Sequence, residues 1–130
     1  PDFYRDFVMP AHKILNRKFT KKNLDWALHI CGNVTKILEY LNEVNPTILE
    51  IDYKTDLSAI RNKVDESTVL GTVDPRTFLC QEEKNMEEEV RENVNLLKPG
   101  GRFILHSGCS LPSNTSDDMI KNFRNFARTV

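Results

Sequence analysis

Four short apolar runs, at residues 26–30, 48–51, 68–73 and 103–106, recur along the chain, and each is followed by a segment with helical character. This alternation constrains the fold more than any other feature. Neighbouring parallel strands need a long crossover, usually a helix, so repeated strand–helix units predict a parallel sheet covered by helices. The helical segments fall at residues 34–42, 57–63, about 86–97 and about 116–128. Val34, Ile37, Leu38 and Leu41 form one apolar stripe on the first of them. Ahead of the first strand, Phe3, Phe7, Val8, Ile14 and Leu15 recur at helical spacing. Pro10 divides them into a short helix and a second helix with proline in its first turn. Pro99-Gly100-Gly101 turns the chain into the last strand, and Thr115, with Asp118 three residues on, is the expected N-cap of the last helix.

A chain of 130 residues, 39% hydrophobic and 28% charged, fits one soluble domain spanning residues 1–130. A net charge of −1 and a pI near 6.4 give no footprint for nucleic acid or an anionic membrane. No apolar run approaches the ~18–20 residues that span a bilayer, and no signal-peptide pattern opens the chain. Three cysteines, an odd and sparse set, point to a reducing compartment, so the expected location is cytoplasmic. Because the chain begins at Pro1 rather than Met, it is expected to be trimmed or part of something longer.

Two architectures accommodate four strand–helix units: a small open doubly wound sheet, or half of an eight-stranded barrel. Both bind ligands at the carboxyl ends of the strands. His29 with Cys31, Asp52, Asp74, and Ser107 with Cys109 all fall at or just past such an end. Side chains alternate along a strand, so His29 and Cys31 share a face while Leu28 and Ile30 point the other way toward covering helices. The same alternation is expected to pair Ser107 with Cys109. If the first and last strands are close, His29, Cys31 and Cys109 form a cluster of one nitrogen and two sulfurs. That set suits Zn²⁺, with a fourth position open in the catalytic manner.

On the residues alone, three readings of the His-x-Cys pair stay open: metal ligands, a nucleophile with its base, or ordinary core. Side chains two apart on a strand project in parallel, and no acyl-transfer signature surrounds them, which counts against the second. Asp52 and Asp74 can equally be strand-end carboxylates satisfied by nearby backbone N–H groups. Cys80 is expected to be a bystander, His12 a helix-surface residue, and the acidic run 82–89 a solvated helix start. The segment Leu97-Lys98-Pro99-Gly100-Gly101-Arg102-Phe103 is reminiscent of S-adenosylmethionine-dependent Rossmann methyltransferases. Those need a glycine-rich loop, and the five glycines here make no G-x-G pattern, which excludes that class.

Four motifs occur in order: His29-Ile30-Cys31-Gly32-Asn33, Glu50-Ile51-Asp52-Tyr53, Gly71-Thr72-Val73-Asp74-Pro75 and Gly108-Cys109-Ser110-Leu111-Pro112. They follow an opening Tyr4-Arg5-Asp6-Phe7-Val8-Met9-Pro10-Ala11-His12-Lys13. The set resembles the C-terminal half of the uroporphyrinogen decarboxylase superfamily. Within it, the closer likeness is to the zinc-dependent branch of methylcobamide:coenzyme M methyltransferases and related corrinoid-dependent methyltransferases, over residues 1–129. Gly71-Thr72 stands where that family usually has Gly-Asn, and Ser113 and Ser116 stand where it usually has proline.

The resemblance implies a (βα)₈ TIM barrel of which this chain is the C-terminal half, about four βα units. It implies zinc held by His29, Cys31 and Cys109, and transfer of a methyl group between a corrinoid (methylcobamide) and a thiol such as coenzyme M. A corrinoid protein and a small thiol are the implied partners. Asp52 and Asp74 match acidic positions lining the family's pocket and are the candidate catalytic carboxylates. A tetrapyrrole decarboxylase relying on those carboxylates without zinc, or a non-catalytic fragment, is the alternative. A half-barrel leaves two strand edges and apolar faces open, so self-association through those edges is expected, and the fragment alone is expected to be inactive.

Overall fold

The computed structural model describes residues 1–79 and 83–130. Cys80 and the start of the acidic run lie outside the described residues. Four parallel strands, β1 (Ala27–Ile30), β2 (Ile48–Ile51), β3 (Thr68–Val73) and β4 (Phe103–Ser107), pair in the order β1-β2-β3-β4. Helix α1 (Met9–Lys21) precedes β1, and α2 (Leu38–Val44), α3 (Leu57–Lys63), α4 (Glu83–Leu97) and α5 (Asp117–Thr129) each follow a strand. Consecutive helices touch one another from α1 to α5, matching the strand order. All five therefore lie on one side of the sheet. A doubly wound fold would place helices on both sides and reverse its strand order, so the sheet is a barrel segment.

Local chemistry sets the element boundaries. A wide helical turn, Tyr4–Val8, runs into α1, where Pro10 sits in the first turn and its missing N–H costs no ladder bond. His12 is half-buried rather than on the surface, with Nδ1 3.0 Å from the Tyr4 hydroxyl. Burial raises the Tyr4 phenol to about 12 and lowers the His12 imidazole. Trp26 docks on α1 by stacking on Phe19 and donating from Nε1 to Asn16 Oδ1 at 2.8 Å. Helix α2 stops at Asn45, which adopts a left-handed conformation (φ 54°) and returns its N–H to the Leu41 carbonyl at 3.1 Å.

The N-cap of α5 is Ser116, whose Oγ accepts from Met119 N at 3.3 Å, not Thr115. Thr115 N–H closes a turn onto Pro112 O at 3.0 Å, which delays the helix by one residue.

Two apolar clusters fill the space between sheet and helices. Leu28, Leu49, Ile51 and Val69 pack with Leu38, Leu41 and Ile60 in one; Val73, Met86, Val90 and Met119 pack with Leu105 and Phe123 in the other. The opposite face carries Ala27, His29, Glu50, Ile104 and His106, none of them buried. Ile104 is 45% exposed. Among the described residues β1 and β4 each pair on one side only.

Candidate metal centre

His29 is carried by β1, and Cys31 lies just beyond its end, on the side away from the helices as strand alternation predicts. Cys109 arrives differently. Strand β4 ends at Ser107, so alternation does not extend to residue 109. Gly108 N donates to Val73 O at 2.6 Å, and the chain bends there. A side chain at 108 would run into the Tyr53 backbone, so this close passage requires glycine.

The first and last strands are not neighbours. Two strands lie between them, a separation of about 14 Å in a flat sheet at ~4.8 Å per strand. Yet the Sγ atoms of Cys31 and Cys109 are 4.0 Å apart. The two connecting segments lean toward each other over the carboxyl edge of a curled sheet, the shape of a barrel mouth.

His29 Nε2 lies 3.1 Å from Cys31 Sγ, and the ligating atoms of His29, Cys31 and Cys109 all lie within 4.8 Å of one another. Both cysteines are free thiols. Two thiolates on a tetrahedral zinc ion at ~2.3 Å would be about 3.8 Å apart, so the observed spacing fits a shared ion. The hydrogen bond to Cys109 pushes the Cys31 thiol above its ordinary value. Partial desolvation and the negative charges of Cys109, Asp52 and Glu50 push the same way. These are surroundings that a cation would favour and a free thiolate would not. The donor set, one imidazole nitrogen and two thiols, is one that zinc prefers.

Asp52 is 4% exposed. Its Oδ2 accepts from Gly32 N at 2.8 Å and its Oδ1 from Lys54 N at 3.0 Å. Gly32 turns there with φ 87°, a region costly for side-chain-bearing residues. Buried Thr55 adds a second tie, accepting from Val34 N at 3.2 Å and donating to Gly32 O at 3.4 Å. Together they fasten the segment carrying Cys31 to the segment after β2.

Asp74 caps the turn Pro75–Phe78 by accepting from Arg76 N at 2.8 Å, and its carboxylate also pairs with the Arg76 guanidinium. Its own N–H donates to Glu89 Oε1 at 2.6 Å. Burial raises the Glu89 carboxyl, while hydrogen bonds from Thr77 and the Asp74 backbone oppose that shift in part. Asp52 and Asp74 meet at a cavity of about 480 Å³ shared with Cys31, Cys109, Tyr53 and Arg76. Arg76 lies 5.3 Å and Lys54 5.6 Å from the centre of the Tyr53 ring.

Thr55 and Glu89 escaped the sequence reading. The signal for Thr55 was its place in Asp52-Tyr53-Lys54-Thr55-Asp56, a turn rich in side chains that bond local backbone. Glu89 lies in the acidic run expected to be solvated, but it is half-buried and accepts from Asp74 N and the Thr77 hydroxyl, which nothing in a charged run signals.

Fold and site together define a segment of a (βα)₈ barrel with a nitrogen–sulfur donor triad at its carboxyl mouth. The family model for uroporphyrinogen decarboxylase (URO-D) matches residues 1–130, and the chain belongs to that family. A solved structure, a methyltransferase from Methanosarcina mazei, superposes with a TM-score of 0.82 over 99% of this chain and 37% of that one, at 20% identity. The chain is 25% identical over 114 residues to the methylcobamide:CoM methyltransferase MtbA of Methanosarcina acetivorans, covering 88% of this chain and 33% of that protein. It is also 25% identical over 130 residues to the uroporphyrinogen decarboxylase of Thermodesulfovibrio yellowstonii, covering 97% and 36%. The chain thus spans about a third of the length of these relatives. No helix among the described residues is long and apolar enough to cross a membrane.

Proposed function

We propose that residues 1–130 form the C-terminal half of a zinc-dependent methyltransferase barrel that moves a methyl group between a corrinoid and a thiol such as coenzyme M. The observation that carries this reading is the triad: His29, Cys31 and Cys109 converge beside a cavity at the sheet's carboxyl edge. When bound, Zn²⁺ would supply Lewis acidity that makes a substrate thiol available as thiolate at neutral pH, where a free thiol of pKa about 8.5 is mostly protonated.

This chain's own residues do the rest. His29 and Cys31 offer two donors from one strand and its exit, and Cys109 offers the third from the far end of the sheet. Asp52 and Thr55 hold the Cys31 segment at its distance from Cys109. Asp74, paired with Arg76, presents a charged pair to the cavity and is the carboxylate proposed to face substrate. The proposed partners are a corrinoid protein docking at this mouth and a small thiol within it.

Elemental analysis tests the reading: about one zinc per chain is expected in protein purified without chelator, and none in Cys109→Ala. Zinc-free parent protein would overturn it. Within the whole enzyme, methyl transfer from methylcobalamin to a small thiol, followed by the cobalamin absorbance change, tests the activity. The likeness to a uroporphyrinogen decarboxylase keeps a second reading, in which Asp52 and Asp74 act on a tetrapyrrole and zinc has no part. Full activity in Cys31→Ser and Cys109→Ser proteins would favour that one.

A further inference from the structure

Beside the triad, on the neighbouring strand, stands Glu50. His29 and Glu50 are direct partners in the parallel register of β1 and β2, and both point away from the helices. Glu50 Oε1 lies 3.6 Å from His29 Nδ1. That nitrogen is buried and makes no hydrogen bond, while Nε2 faces Cys31 at 3.1 Å. The two nitrogens are therefore sorted, one toward the sulfurs and one toward a carboxylate.

Resting on the metal-site reading above, we infer that Glu50 is a positioning residue that fixes the His29 tautomer and ring orientation for metal binding. An imidazole can ligate through Nε2 only if that atom carries a lone pair, which puts the proton on Nδ1. A carboxylate facing Nδ1 favours that tautomer and orients the ring with Nε2 toward the sulfurs. Asp52 is turned to other work, each of its oxygens accepting a backbone N–H. Among the described residues Glu50 has no other hydrogen bond or ion pair, and only a small closure separates it from bonding distance. Glu50 falls outside the set of donor atoms that lie mutually within 4.8 Å, which marks it as a support and not a ligand.

The test is zinc affinity by competition with a chromophoric chelator, for the parent, Glu50→Ala and the isosteric Glu50→Gln. Glu50→Ala is expected to bind zinc about 10- to 100-fold more weakly, with Glu50→Gln losing less. In metal-free protein, the imidazole ¹⁵N shifts of His29 should report protonated Nδ1 in the parent and a mixed tautomer in Glu50→Ala. A purely structural role would not move this signal. Cobalt(II) absorption bands should keep their positions in both variants; bands that shift to a different coordination would make Glu50 a ligand and overturn the inference. Unchanged affinity in both variants would also overturn it, leaving the metal site intact. A parent protein that binds no zinc would instead remove the metal-site reading itself. Should Glu50→Ala fail to fold, Glu50→Gln carries the test alone.

Discussion

Asp52 illustrates why a carboxylate beside a cavity is ambiguous until its partners are known. In sequence it is an acidic residue at a strand end, equally suited to chemistry or to binding backbone. In the structure each oxygen accepts a backbone N–H, one on either side of the gap between two loops. Asp52→Asn replaces one acceptor with an NH₂ group facing an N–H. The expected loss is about 1–3 kcal/mol of stability in urea denaturation, since a buried donor is left unpaired. Zinc affinity should fall with it, because the Cys31 segment loses its tether. That His29, Cys31 and Cys109 meet was legible through the family resemblance, since on the residues alone the His-x-Cys pair left three readings open. The turn at Gly108 that delivers Cys109 was not, since a close backbone approach leaves no mark beyond a glycine.

Helix α4 shows the same limit at the scale of an element. The expected helix over about 86–97 is present within α4, and Met86, Val90 and Leu97 are buried along it. The polar residues one turn apart on it, Glu89 and Asn93, gave no sign that they too face inward. Asn93 is 2% exposed. Its Oδ1 accepts from both Thr72 N (3.2 Å) and the Thr72 hydroxyl, and its Nδ2 donates to Glu89 O at 2.9 Å. Periodicity distinguishes buried from exposed faces only when the buried side chains are apolar. Asn93→Ala would strand a strand N–H and a hydroxyl against an apolar core. A loss of about 2–4 kcal/mol is expected in chemical denaturation, the sum of lost bonds and a small cavity. The α5 boundary failed in sequence for a related reason: Thr115 and Ser116 are both good caps, and only the Pro112–Thr115 turn decides between them.

For the whole molecule, strand–helix alternation could not choose between a barrel segment and a doubly wound sheet. Side chains face both sides of a strand in either case. What decides is the unbroken strand order with every helix on one side, a property of the assembled layers. That one-sided curl is what lets residues 31 and 109, 78 positions apart in sequence, meet at 4.0 Å. An ion held there would act as a clasp across the open arc, joining its first and last strands with no help from the two between. Metal content should then be readable as heat resistance: zinc-loaded protein is expected to melt higher than chelator-treated protein, by a margin that widens with free zinc. At a thousandfold excess over the dissociation constant that margin corresponds to about 4 kcal/mol. Cys109→Ala should melt at one temperature whether or not zinc is present. The site proposed to prepare a thiol for reaction would thereby also set how far the arc can spring open.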